Sequence, residues 1–351
     1  MNGKNQKTLT TNPPAKLNLF LELLSKRSDG FHEIDTVMVP INWSDTLQLS
    51  TTSGSEIELT VEVPHPEQFS LRHPSEHQRG LATIPSDQKN LVHRALNRFR
   101  QHFGITGGFH CKLTKRIPAG AGLGGASSDA ASALLLAAKS HSIDSSHPAL
   151  IQLASEIGSD VPFFLGSHGV TNQSSTQAAN ERNASSIQAA RATGRGEIIC
   201  PVECPAEIHF VVVFPGVGLS TPSVYSHSTV PTKREHAGDG NVSENSDEIM
   251  RSSESLLAAL RDGKPDQISR QLFNRLSEPA KKLASEVQTT LQSLNHVGLQ
   301  GCLMTGSGSA CFGIAKNKVD AEQAADHLRG QLDSGCIIQV TSNIKVPQPI
   351  D

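Results

Sequence analysis

Four glycines fall within six positions, at Gly120, Gly122, Gly124 and Gly125, and no other stretch of the 351-residue chain confines its fold so tightly. Residues 109–117 before them read as a strand. Residues 127–140 after them read as a helix, apolar almost all round and hence buried. Such a glycine-rich connection lets backbone N–H groups approach an anion closely. The helix start adds unsatisfied amides and a partial positive charge. A lone serine cap at Ser127 or Ser128 also accounts for a helix start, but it needs no run of glycines. The stretch is therefore a candidate phosphate-binding loop made of Pro118, Ala119, Gly120, Ala121, Gly122, Leu123, Gly124, Gly125, Ala126, Ser127 and Ser128.

Several phosphate binders are excluded. A Walker A loop ends in Lys and then Ser or Thr, whereas Ala126 and Ser127 stand there. Gly120, Gly122 and Gly125 satisfy GxGxxG, but the acidic residue at the expected distance, Asp144, has no strand before it and a helical stretch after it. That argues against a dinucleotide fold. No HRD or DFG follows, which excludes a protein kinase.

Elsewhere, strands are predicted over 17–24, 31–40, 45–50, 56–63, 209–214 and 336–344, and a strand–turn–strand over 303–314. Helices are predicted over 90–103, 149–157, 266–276, 280–295 and 319–332, with Leu283, Val287, Leu291 and Leu294 on one stripe. Without regular βαβ alternation, this mixture is α+β. Residues 64–89 read as a long loop. The low-complexity stretches 171–193 and 229–255 read as mobile insertions.

The net charge of −3 and pI of about 6.6 argue against a nucleic-acid or membrane-surface partner. No apolar run approaches the roughly 18 residues of a membrane span. The first sixteen residues lack the apolar core of a secretory signal. Six cysteines include no CxxC pair, and Cys200 and Cys204 have no His at finger spacing. They read as thiols of a reducing compartment, so a cytoplasmic location is expected.

Five motifs then occur in order: PAKLNLFLELLSKRSDGFHEIDTV (14–37), PAGAGLGGASSDAA (118–131), GSDVPFF (158–164), PGVGLSTPSVY (215–225) and MTGSGSACFGI (304–314). On these the chain resembles the GHMP superfamily of small-molecule kinases, and within it the branch whose alcohol substrate carries a diphosphocytidyl group. The resemblance implies a two-lobed α+β fold. A ribosomal-S5-like ATP-binding lobe would span residues 1–200 and a ferredoxin-like lobe residues 201–351. It implies ATP and Mg2+, with Ser128 as the metal contact, and a cytidine diphosphate ester of methylerythritol as the acceptor. Monomer and homodimer both stay open. Lys16 and Asp160 match the catalytic pair, and Asn18, Phe31, His32, Thr221 and Tyr225 match acceptor-binding positions. Taken alone, Asp160 is a turn former after Gly158, Lys16 a solvated lysine, and Phe31 ordinary packing. The rivals are a GHMP kinase for homoserine, mevalonate or a sugar, and a nucleotide-binding member without catalysis. The insertions and the long loop depart from the usual pattern and put loop-borne contacts in question.

Overall fold

The computed structural model describes residues 8–64, 84–166, 188–234 and 249–344. Most of the predicted loop at 64–89 and of both predicted insertions lies outside these residues. The described parts correct the two insertion readings. Ala189–Thr193 is a strand (β7), because three small buried alanines let it lie close against its neighbour. Lys233–Arg234 (β10) pairs in parallel with Ile249–Met250 (β11), and Glu254–Asp262 is a helix (α6).

Three larger sheets carry the molecule. Leu9–Thr11 (β1), Thr46–Thr52 (β4), Ile57–Glu62 (β5) and Gly108–Thr114 (β6) form the first, in the order β1-β4-β6-β5. Leu91–Phe103 (α1), Gly125–Ser140 (α2) and Pro148–Ile157 (α3) cover it. Leu96, Phe99, Phe109 and Leu134 share one core there with Phe163 of the short helix Val161–Phe164 (α4). Asn90 caps α1 by accepting from Val92 N (2.9 Å), and Gly104 ends it in a left-handed turn.

The second sheet has the order β12-β2-β3-β7-β8, from Phe273–Asn274 (β12), Pro14–Lys26 (β2), His32–Ser44 (β3), β7 and Ile198–Val202 (β8). β8 straddles residue 200, and β12 returns from the C-terminal half to pair in parallel with β2. The two halves of the chain therefore share this sheet.

The third sheet, of order β13-β14-β9-β15, comprises Gln300–Met304 (β13), Cys311–Ala315 (β14), His209–Phe214 (β9) and Ile337–Ser342 (β15). β9 is apolar at almost every position because both faces are covered. Phe210, Val212 and Phe214 pack towards the second sheet. Val211 and Val213 pack into a core with Val287 of Ser285–His296 (α9) and Leu328 of Lys318–Gln331 (α10).

Two predicted C-terminal helices are corrected. The one over 266–276 stops as Pro265–Arg270 (α7), and the chain straightens into β12. Asn274 donates to the carbonyls of Met304 (2.7 Å) and Gly306 (2.8 Å), while Arg275 grips buried Glu22 through two hydrogen bonds of 2.7 Å. These contacts outweigh the local helical pattern. The helix over 280–295 breaks at Ala284, where extended backbone separates Ser277–Leu283 (α8) from α9. The break turns Leu283 out of the predicted stripe, leaving it 37% exposed.

Beneath the glycine-rich loop lies a buried charge cluster. Lys115 donates to Asp45 Oδ2 and to Asp129 Oδ2 (2.7 Å for the latter), and Asp45 Oδ1 accepts from the amides of Arg116 and Ile117. The cluster ties the entry of β4, the exit of β6 and the start of α2 together. Burial opposes the Lys115 charge, but the two carboxylates hold its ammonium above its ordinary value. Burial pushes the Asp129 carboxyl up to about 7, Asp45 adding to the effect and Lys115 opposing it. Removing the cation strands two buried carboxylates. Lys115→Met should cost about 3–5 kcal/mol of unfolding free energy in urea titrations at pH 8. The loss should shrink at pH 5, below the raised value of Asp129, where that carboxyl takes up a proton.

Candidate functional site

A cavity of about 1020 Å³ opens between the sheets, and residues 118–127 of the glycine-rich loop form one wall. The loop is held by its carbonyls. Leu123 O accepts from Lys16 N (2.9 Å), Ala121 O from Ala310 N (3.1 Å) and Gly120 O from Leu219 N (3.2 Å). The first-turn amides of α2 have no helical carbonyl behind them and suit an anion. α2 starts at Gly125, two residues earlier than predicted, and Gly124 caps it through left-handed backbone (φ 71°) with no side-chain cap. Ser127 and Ser128 therefore sit within the first turn instead of capping it. Ser127 lines the cavity, as do Pro118, Ala119, Ala121 and Ala126. Ser128 is fully buried, its hydroxyl without a hydrogen-bond partner, and it does not line the cavity. This corrects its reading as a phosphate or Mg2+ contact.

The loop interlocks with the turn after β13. Gly122 has φ +75°, and a Cβ there would lie 2.2 Å from Thr305 O. A Cβ on Gly306 would lie 2.8 Å from Gly122 O and 3.1 Å from Lys16 Nζ. Only glycine permits the two backbones to touch.

Lys16 and Asn18 are presented at the cavity floor by β2. Alternation sends Leu17 and Leu19 into the core and their neighbours to the opposite face. A bulge between Asn18 and Phe20 then shifts the register, so that Leu21 and Leu23 pack into a different core. Asn18 Nδ2 donates to Thr36 Oγ1 (2.8 Å), which donates to Phe20 O (2.6 Å). Asn18 N donates to Thr305 Oγ1 (2.9 Å), and Lys16 Nζ donates to Asn18 Oδ1.

Asp160 stands in the turn between α3 and α4, as its position after Gly158 implied. Its Oδ2 lies 3.4 Å from Lys16 Nζ, with the lysine side chain 4% and the aspartate 34% exposed. The two charges are brought together from 144 residues apart in sequence (160 − 16). Burial pulls the Lys16 ammonium below its ordinary value, and Asp160 offsets part of that.

The cavity's far end gathers Phe31, His32, Thr221 and Tyr225. The His32 and Tyr225 rings lie 5.3 Å apart, and Phe31 is 50% exposed with the Arg195 guanidinium 5.0 Å above its ring. Thr221 opens the helix Thr221–Ser226 (α5) and shares a 2.8 Å hydrogen bond with Ser307. Burial, with the Lys26 charge adding, lowers the His32 imidazole and leaves it neutral at pH 7. Burial and the Asp160 charge push the Tyr225 phenol up.

Sequence reasoning missed the opposite end, where Ile84, Pro85, Asn90 and Leu91 line the cavity. Asn90 is held there by donating to Pro85 O (2.7 Å). Its place as a helix cap was the available signal. Lys115, Thr36, Thr305 and Arg195 were also missed, and each gains its place only through distant pairing.

The GHMP kinases N terminal domain matches residues 90–168, and the GHMP kinases C terminal matches residues 256–334. Over 349 residues, and 97% of both chains, the sequence is 40% identical to 4-diphosphocytidyl-2-C-methyl-D-erythritol kinase of Rhodopirellula baltica. The chain belongs to the 4-diphosphocytidyl-2-C-methyl-D-erythritol kinase family. A relative of that name from Shouchella clausii is 31% identical over 320 residues, covering 91% of this chain and 90% of its own. A solved 4-(cytidine 5'-diphospho)-2C-methyl-D-erythritol kinase superposes with a TM-score of 0.63 at 30% identity, over 96% of this chain and 100% of its own. Homoserine kinase from Cytophaga hutchinsonii superposes equally well (TM-score 0.64, 98% of both chains) at 16% identity, which shows the shared fold alone. The α+β GHMP kinase fold read from the sequence is thus the fold of this kinase family member. Among the described residues, no helix is long and apolar enough to cross a membrane.

The interlock makes a direct prediction. Gly122→Ala imposes left-handed backbone on alanine and drives a methyl into Thr305 O. Urea unfolding should show a loss of at least about 2 kcal/mol, accompanied by weaker ATP binding in a nucleotide titration.

Proposed function

We propose that the protein transfers the γ-phosphoryl group of ATP to the 2-hydroxyl of 4-diphosphocytidyl-2-C-methyl-D-erythritol, a step in non-mevalonate isoprenoid precursor synthesis. The observation that carries the proposal is the Lys16–Asp160 pair, set between a glycine-rich anion cradle and an aromatic pocket.

The cradle suits ATP: its carbonyls are engaged by the protein, and the close packing of Gly122, Gly124 and Gly125 against Thr305, Lys16, Phe164 and Ile117 leaves no room there for side chains. Among the described residues, no group of three or more His, Cys, Asp or Glu could hold a metal ion. That donor set fits Mg2+ held through phosphates and water, with the Ser127 hydroxyl as the protein's contribution. Bound in this way, ATP and Mg2+ supply the phosphoryl group and neutralise its charge. The adenosine end is assigned to the wall formed by Pro85, Asn90 and Leu91.

Asp160 accepts the proton of the acceptor hydroxyl, which is otherwise a poor nucleophile. Lys16, whose Nζ lies 3.4 Å from that carboxylate, stabilises charge growing on the acceptor oxygen. Asn18 fixes Lys16 and offers its amide to the acceptor. At the far end, Phe31 and Tyr225 supply ring faces for the cytosine and neutral His32 reads its edge. Thr221 contacts the acceptor beside Ser307. The division near residue 200 into an ATP-binding lobe and a C-terminal lobe, and a cytoplasmic location, belong to the same proposal.

ADP release from ATP and Mg2+ should require the diphosphocytidyl acceptor, with homoserine and mevalonate inactive. In Asp160→Ala, kcat should fall at least about 100-fold while ATP binding is retained. Full turnover by that variant would remove Asp160 from the chemistry. Because the folded environment lowers the Lys16 ammonium, activity should decline with rising pH before the 10.5 of an ordinary lysine. In Lys16→Arg, whatever its residual rate, the alkaline limb should move upward, since guanidinium keeps its proton. A pH–rate profile that is identical in both proteins would assign the limb to another group.

A further inference from the structure

An acceptor that carries a diphosphate brings its own anion to the aromatic end of the cavity. The cations already placed are committed elsewhere. Lys16 is shared between Asp160 and Asn18, and Lys115 is enclosed by Asp45 and Asp129. Arg195 lines the same cavity and has no part in the proposal above.

Its setting is constructed with care for position. Arg195 lies in the turn joining β7 to β8. Gly194 O accepts from Ile34 N (2.8 Å), and a Cβ at Gly196 would sit 3.6 Å from both Ile34 Cδ1 and Ser159 Cβ. The turn is thus seated on β3 and on the residue preceding Asp160. Arg195 N donates to Glu197 Oε2 (2.6 Å), which fixes the backbone. Its Nε stands 3.7 Å from Glu197 Oε1, too far for a hydrogen bond, so the guanidinium is attracted without its donors being used there. The guanidinium carbon lies 5.0 Å over the Phe31 ring, a cation–π contact that holds the guanidinium beside that ring.

We propose that Arg195 recognises the acceptor's diphosphate, with Phe31 serving both as a base platform and as the surface that holds the guanidinium. A planar cation with parallel N–H donors suits phosphate oxygens better than the point charge of exposed Lys26 on the same wall. The inference rests on the acceptor assignment made above.

The test is calorimetric titration of CDP and of cytidine, with a non-hydrolysable ATP analogue saturating the nucleotide site, on the wild type, Arg195→Ala and Arg195→Lys. Arg195→Ala should weaken CDP about 10- to 100-fold and cytidine no more than about threefold. Arg195→Lys should recover part of the loss. Steady-state kinetics should show the acceptor KM rising while kcat and the ATP KM stay within about twofold. Equal losses for CDP and cytidine would mean that Arg195 only positions Phe31, and unchanged CDP binding would leave it no role; either result overturns the proposal. A wild-type protein that binds neither CDP nor cytidine would instead sink the acceptor assignment, and this inference with it.

Discussion

Backbone meets backbone where the loop after Pro118 crosses the turn after β13, and the separation is smaller than a methyl group tolerates. Two otherwise separate parts of the chain become one wall there, the glycine-rich loop and the third sheet. The contact is extended by hydrogen bonds that use up the loop's carbonyls. Asn274 braces the other side of the turn through the carbonyls of Met304 and Gly306. A cradle built in this way depends little on side chains of its own. Its shape is set by what its neighbours leave no room for.

The rest of the site follows from that joint. β2 lies between the interlock and the cores, so its odd and even residues serve different purposes over the first part of the strand. Leu17 and Leu19 anchor it, while Lys16 and Asn18 face the cavity. Buried charges elsewhere hold the frame at its seams. Lys115 joins β4, β6 and α2, Arg275 joins β12 to β2, and Arg191 links Asp35 of β3 to β7 (2.8 Å). In each case a cation meets a buried carboxylate, which is costly to break on one side only.

The sequence was readable where local physics sufficed. β9 appeared at its observed bounds because a continuous apolar run has few alternatives, and α1 because its cap, stripe and terminal glycine agree. It was misread where distant partners decide. Residues 266–276 have helical character, yet Asn274 and Arg275 are drawn into strand by Gly306 and Glu22. The start of α2 moved because a glycine backbone, invisible to a search for serine caps, closes the helix. Lys16 and Asp160 could be picked only through family resemblance, since nothing in their local spacing indicates that they meet. Ser128 shows the limit of such a transfer: the motif matches, but the helix turns that hydroxyl inward.

The hydroxyl of Thr36 has one proton, and it goes to the carbonyl of Phe20. Thr36 can therefore only accept from Asn18, which must turn its NH2 towards it and its oxygen towards Lys16. The carboxamide cannot be flipped without breaking both ends of this chain of bonds. Proton donation thus runs in a single direction, from the ammonium to the carbonyl of the strand backbone. With one N–H of Lys16 given to Asn18 and another turned to Asp160, the third is left as a donor of defined direction. A buried threonine thereby decides where the Lys16 ammonium aims its remaining proton.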